Sequence, residues 1–117
     1  MNYSVVLTRP FKRSIERLKK RFRHVKDDVR LAVEVLLQSP RLGVPIPGGS
    51  GIRKLRVLNS DLAKGKSGGY RLLYYVQDQP TPTLYLLLLY AKSDQEDATR
   101  QELQRLLDEL ADEMNKL

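Results

Sequence analysis

The sequence predicts an α+β domain: a small antiparallel sheet with a helical hairpin before it and one helix after it, in the order strand, helix, helix, three strands, helix. Three observations predict it. Between Phe11 and Leu37 apolar residues recur every three or four positions, the period of a helix; between Ile52 and Ala91 they alternate or run together in short blocks, as strands do; from Leu103 onward the helical period returns. A run of helices and a run of strands around one core predict helices segregated to one side of the sheet. At 117 residues and 13.5 kDa the chain has the size of a single domain, 1–117.

The elements follow in order. Tyr3 to Leu7 is short and β-prone, and Thr8-Arg9-Pro10 ends it with a capping hydroxyl and a proline suited to a first helical turn. Phe11, Ile15, Leu18, Phe22 and Val25 then form one apolar stripe, with Lys12, Arg13, Arg17, Lys19, Lys20, Arg21, Arg23 and Lys26 filling the rest of the arc. This predicts one helix with a cationic back. Asp27 or Asp28 is the expected cap of a second helix, striped by Val29, Ala32, Val33, Leu36 and Leu37 and stopped by Ser39-Pro40. Residues 40–51 hold three prolines and four glycines and read as a loop. Strands are expected over Ile52 to Leu58, Tyr70 to Val76 and Leu84 to Ala91, the last two joined as a hairpin by QDQPTPT. Ser93-Asp94-Gln95-Glu96 reads as a capping box for a terminal helix with Leu103, Leu106, Leu107, Leu110, Ala111, Met114 and Leu117 on one face.

Composition removes several chemistries. Without cysteine there is no disulfide, no thiolate nucleophile and no Cys-ligated zinc, and a single histidine, His24, excludes any site built on two imidazoles. His24 lies off the apolar stripe and reads as a surface residue. The N-terminus lacks the apolar stretch of a secretory signal, and the longest apolar run, Leu84 to Ala91, is far shorter than the ~20 residues that span a bilayer, so a cytoplasmic protein without membrane contact is expected. Acids concentrate near the C-terminus, leaving no paired carboxylates in an acid/base setting and no metal-nuclease ligand set. No cofactor or metal is expected.

Charge is the informative quantity. Before Asp94 the chain has 18 basic and 6 acidic residues, a net of +12; from Asp94 onward it has 3 and 8, a net of −5. A body this cationic attracts polyanions, nucleic acid first, because Lys and Arg on phosphates release condensed counterions. The run Lys12 to Lys26 reads equally as a solvated helix face or as a docking surface for structured RNA. A second set of cations sits inside apolar or glycine-rich strand sequence: Arg53, Lys54 and Arg56 in GIRKLRV, Lys64 and Lys66 in AKGKSGG, Arg71 in GYRLLYYV, and Lys92 after LLLLYA. Alternation puts Lys54 and Arg56 on one strand face, with Leu55 and Val57 on the other, and makes Tyr90 and Lys92 share a face. No acidic residue lies between Glu34 and Asp61, so these cations lack local partners. If the strands pair antiparallel, one sheet face carries a positive site for a phosphodiester. KGKSGGYR lacks the spacing of a nucleotide-binding phosphate loop, and a strand-entry turn is its default reading.

The run from GIRKLRV through KGKSGGYRLLYYV to LYLLLLYAKSDQED, preceded by a helical hairpin beginning at RPFKRSIERLKK, resembles the RelE/ParE superfamily of toxin-antitoxin toxins, most closely its HigB-like branch, over nearly the whole chain. The resemblance implies a RelE-like toxin domain of order β-α-α-β-β-β-α. It also implies a metal-independent, ribosome-dependent endonuclease that cleaves mRNA in the A site by attack of a ribose 2′-hydroxyl on the adjacent phosphate. The implied partners are a cognate antitoxin, the ribosome with its rRNA, and mRNA.

Matched to the family motif, Lys54 and Arg56 fall on the cationic strand of the active site, with Lys54 the candidate base. Arg71 in GGYR falls on the phosphate-stabilising arginine, and Lys92 completes the catalytic set. Arg53, Lys64, Lys66 and Tyr90 are the expected RNA contacts. Some RelE members place a base-stacking aromatic near the start of the terminal segment; here Thr99 stands about there and no aromatic follows Tyr90, which is the replacement candidate. Two other readings remain: a ParE-type gyrase-inhibiting toxin of the same fold, and a basic nucleic-acid-binding module without chemistry.

Overall fold

The computed structural model of the chain describes residues 2–62 and 68–116. Its elements are β1 (Ser4–Leu7), α1 (Arg9–Leu18), α2 (Val25–Gln38), β2 (Val44–Pro45), β3 (Arg53–Val57), β4 (Tyr70–Gln77), β5 (Thr83–Ala91) and α3 (Arg100–Met114). They form an α+β domain in which five strands are ordered β1-β5-β4-β3-β2. β3, β4 and β5 pair antiparallel, as expected, β2 adds a short antiparallel pairing to β3, and β1 runs parallel to β5, so the sheet is mixed. The parallel pair follows from how β1 hands over to α1. Thr8 is fully buried at the junction, where both its backbone N–H and its Oγ1 donate to the Leu86 carbonyl, at 3.2 and 2.8 Å. Six residues on, the Leu89 N–H donates to Ser14 Oγ at 3.1 Å. α1 thus continues along the edge of β5 where β1 stops.

β5 is buried along its whole length because both sheet faces are covered. On one face α1 and α2 bring Phe11, Ile15, Leu18, Val29 and Leu36 against Leu72, Tyr74, Leu84 and Leu86; on the other α3 brings Leu103, Leu106 and Leu110 against Leu73, Tyr85, Leu87 and Leu88. Helices are therefore not segregated to one side. The continuous apolar run TLYLLLLYA is the sequence trace of that two-sided burial. Pairing shifts from Leu73↔Leu88 to Tyr74↔Leu86, a bulge that sends Leu87 and Leu88 both to the α3 side and reverses the alternation beyond them.

The first helix is shorter than its stripe predicts. α1 ends at Leu18, where the N–H groups of both Arg21 and Phe22 donate to the Leu18 carbonyl, at 3.0 and 2.8 Å. Phe22 packs edge-on against Tyr70 with ring centroids 5.7 Å apart, and fully buried Val25 opens α2. The three/four spacing runs through the turn because both helices and the turn bury residues into one core. Neither Asp27 nor Asp28 caps α2. The N-cap is His24, whose backbone N–H donates to Asp61 Oδ2 at 2.9 Å and whose Nδ1 meets Asp61 Oδ1 at 2.6 Å. Asp28 turns inward instead and accepts from the Ser60 N–H at 2.9 Å. A carboxylate 37 residues away supplies what a local one was expected to supply.

Two further boundaries move. The loop 40–51 contains the two-residue strand β2, paired to β3 through Val44↔Lys54 and Pro45↔Arg53. At the other end the capping box is Thr99 with Glu102: Thr99 Oγ1 accepts the Glu102 N–H at 3.1 Å, and Glu102 Oε1 accepts the Thr99 N–H at 2.9 Å. Ser93 to Glu96 has the same pattern of residue types, but its backbone stays tied to the sheet end, where the Lys92 N–H donates to Gly69 O at 2.9 Å and the Asp94 N–H to Ala91 O at 2.9 Å. Among the described residues no helix is long and apolar enough to cross a membrane.

Candidate active site

Register decides which cations meet. Arg56 on β3 lies opposite Arg71 on β4, and Arg71 opposite Tyr90 on β5, so three side chains from distant positions stand in one row across strands spaced about 4.8 Å apart. Lys54 precedes Arg56 on the same face. Val57 belongs to the core under α1 and α2, so Lys54, Arg56, Arg71 and Tyr90 look out on the α3 side. The convergence predicted for the strand cations is present for these residues.

Arg71 is the centre. Its side chain is buried, with 7% exposure, and one terminal nitrogen donates to the Gly68 carbonyl and, at 3.1 Å, to the Tyr70 carbonyl. No carboxylate lies within ion-pair distance of it among the described residues. Burying a guanidinium without a counter-ion is costly, and its remaining N–H groups form a fork suited to an anion. The turn before it is built for this approach: Gly69 has φ +53°, and a Cβ there would stand 2.5 Å from the Val57 carbonyl. Only glycine brings β4 in at this angle.

Tyr90 is 5% exposed, and its hydroxyl has no hydrogen-bond partner among the described residues. Burial pushes its phenol up, the negative charges of Asp97 and Glu102 push the same way, and Arg71 opposes them. It therefore keeps its proton at neutral pH and stands as an unused donor beside a cation without a counter-ion. Lys54 does find a partner: its Nζ is 2.7 Å from Asp97 Oδ1, with the lysine side chain 29% exposed and the aspartate 67%. The Asp97 carboxyl is held below its usual range first by that hydrogen bond, then by the charges of Lys54, Lys92 and Arg71. Lys92 Nζ is 3.3 Å from Glu96. Lys54 thus finds in space the acidic neighbour that its own stretch of sequence lacks.

No family model matches the sequence.

The remaining expected residues divide. Arg53 points to the opposite side of β3 and spends its guanidinium on the carbonyls of Gly43, at 2.6 Å, and Arg41, at 3.1 Å, which pins the loop ahead of β2. It does not join the row. Lys64 and Lys66 lie outside the described residues. Thr99, in the position considered for a stacking aromatic, caps α3. His24 is engaged with Asp61 on the far side of the α1–α2 turn. Sequence reasoning missed Asp97. Its signal was the acidic run immediately after YAK, which β5 delivers to the mouth of the site.

The assembled parts are a buried guanidinium for a phosphate oxygen at Arg71, an exposed second guanidinium at Arg56, a protonated phenol at Tyr90 and a Lys54–Asp97 ion pair. Among the described residues no group of three or more Asp, Glu or His side chains is gathered closely enough to hold a metal ion.

Proposed function

We propose that this protein is the toxin of a type II toxin-antitoxin system, a RelE-like, HigB-branch endonuclease that cuts mRNA in the ribosomal A site without a metal. The observation that carries the reading is the row Arg56–Arg71–Tyr90, with Arg71 buried and unmatched by any carboxylate among the described residues. The element order, with a helical hairpin ahead of the antiparallel strands and a terminal helix, supports it as well.

In this reaction the ribose 2′-oxygen forms a bond to the adjacent phosphorus as its proton passes to the Asp97 carboxylate, which the ion pair with Lys54 holds in place. The bond from phosphorus to the 5′-oxygen breaks, and that oxygen takes up a proton, leaving a 2′,3′-cyclic phosphate on one product. Arg71 and Arg56 bind the non-bridging oxygens as negative charge grows on them, Lys92 adds positive potential, and water supplies the proton to the leaving oxygen. In the resting site Asp97 Oδ1 lies 2.7 Å from Lys54 Nζ. The working partners in this reading are the ribosome and its mRNA in the cytoplasm, with an antitoxin as the silencing partner.

The test is to add the protein to translating ribosomes and map mRNA 5′ ends, beside Arg71→Ala. New ends within A-site codons are expected, reduced at least ~100-fold in the variant, the usual loss when one transition-state donor is removed. An uncut message together with blocked DNA supercoiling would instead favour the gyrase-directed reading, and a fully active Arg71→Ala would remove the arginine from the mechanism.

A further inference from the structure

Beyond the sheet face, α1 carries cations that the reaction does not use. Arg13 and Arg17 lie one turn apart on α1, about 6 Å along the axis, and face Arg105 of α3 across a recess of about 110 Å³ floored by Leu88. Two carboxylates, Glu102 and Glu109, line the same recess. Glu102 is already committed: its Oε1 accepts the Thr99 N–H at 2.9 Å and the Gln95 amide at 3.1 Å. None of Arg13, Arg17 and Arg105 makes an ion pair among the described residues, so three guanidiniums share the recess with two carboxylates, an excess of positive charge. Arg17 also lines the next recess, of about 190 Å³, which is floored by Leu89 and Tyr90 and bounded by Arg21. Arg21 itself is held by Asp94 at 2.6 Å. Arg17 thus lines both recesses, and Leu88, Leu89 and Tyr90 floor them in succession along β5, Tyr90 being the end of the arginine row.

We infer that the recess between α1 and α3, with its neighbour past Arg17, forms a channel that holds the backbone phosphates of the same RNA strand on one side of the scissile bond, so that Arg13, Arg17 and Arg105 set how much RNA the site grips. The inference rests on the nuclease reading for the identity of the strand. Sequence-independent phosphate contacts are the expected use of arginines spaced along a helix, and each such contact adds about 0.7 to the salt dependence of single-strand binding.

The experiment measures binding without cleavage, using 2′-O-methyl RNA, which cannot supply the attacking hydroxyl. A trinucleotide and a dodecanucleotide are titrated against wild type, against Arg13→Ala/Arg17→Ala/Arg105→Ala, and against Lys12→Ala/Lys26→Ala/Arg30→Ala. The last removes the same charge from the groove between β1 and the α1–α2 hairpin. The arginine triple variant is expected to lower the dodecanucleotide's log–log salt slope by about 2, from three contacts at about 0.7 each, and to leave the trinucleotide's affinity unchanged. Arginine-to-lysine replacements at the three positions are expected to restore the slope. An unchanged slope, an equal loss in the control variant, or a wild type that binds both lengths equally would each overturn the channel. If the slope falls as expected while ribosome-bound mRNA stays uncut, the channel stands and the nuclease reading falls.

Discussion

Tyr70 and Tyr74 are both on β4 and both fully buried, so the same substitution at each separates hydrogen bonding from packing. The Tyr74 hydroxyl donates to the Pro40 carbonyl at 2.7 Å and accepts the buried Gly43 N–H at 2.9 Å. The fit is close: a Cβ on Gly43 would stand 2.8 Å from the Tyr74 ring, so the loop passes directly over the phenol. Tyr74→Phe removes two bonds worth about 0.5–1.5 kcal/mol each and strands a buried donor, giving a loss of about 2–3 kcal/mol. For a domain of this size that lowers Tm by about 10 °C. The Tyr70 hydroxyl, by contrast, has no partner among the described residues, and burial pushes its phenol well up. Tyr70→Phe deletes a desolvated group, and the expected change runs from nothing to about 1 kcal/mol of stabilisation. Urea unfolding with a common m-value reads both. Equal effects from the two variants, or a Tyr70→Phe loss above about 1 kcal/mol, would refute the hydrogen-bond accounting. Tyr74→Phe also reaches the site, because the loop it anchors leads into β2, which pairs with the Lys54 segment of β3.

Three other outcomes follow from single contacts. Gly69→Ala forces a side chain into positive φ against the Val57 carbonyl, and is expected to cost more than about 2 kcal/mol in thermal unfolding and to displace Arg71. Thr99→Ala removes the cap of α3 and should cost about 1 kcal/mol, whereas Ser93→Ala should leave stability unchanged; the reverse result would put the helix start at Ser93. Asp61, Asp78 and Asp97 are all held below the ordinary value of 3.8, by the His24 N–H, by the Tyr3 hydroxyl and by Lys54 respectively. Their stabilising contribution is complete above that unfolded value and is lost as pH falls below it through the lowered folded values. Stability against pH should therefore decline on that acid limb, and Asp61→Asn or Asp78→Asn should flatten it.

What was legible in the sequence was whatever short-range chemistry decides. The strands Arg53–Val57, Tyr70–Gln77 and Thr83–Ala91 follow from residue type and alternation, and alternation alone put Lys54 with Arg56, whereas Lys92, expected beside Tyr90, lies past the end of β5. The errors share one cause, a distant group replacing a local one. Asp61 took over the cap expected of Asp27 or Asp28, and a stripe that serves two helices and a turn read as one helix. Thr99 and Ser93 head the same residue pattern, and only the tie between Lys92 and Gly69 decides between them.

The same cause explains what was hidden at the site. Arg71 had no visible reason in the sequence to be buried, because that depends on β4 lying between β3 and β5, which no local signal encodes. Once that order is set, the pairings Arg56↔Arg71 and Arg71↔Tyr90 follow, and Arg53, one residue from Lys54, is sent to the other face. The bulge at Leu87 matters here too. Without the extra residue, Tyr90 would alternate onto the α1–α2 side and its hydroxyl would leave the arginine row, while Leu89 would replace it. The candidate chemistry therefore depends on one inserted residue in the middle of a strand whose composition, an unbroken run of leucines and tyrosines, gives no sign of where the insertion falls.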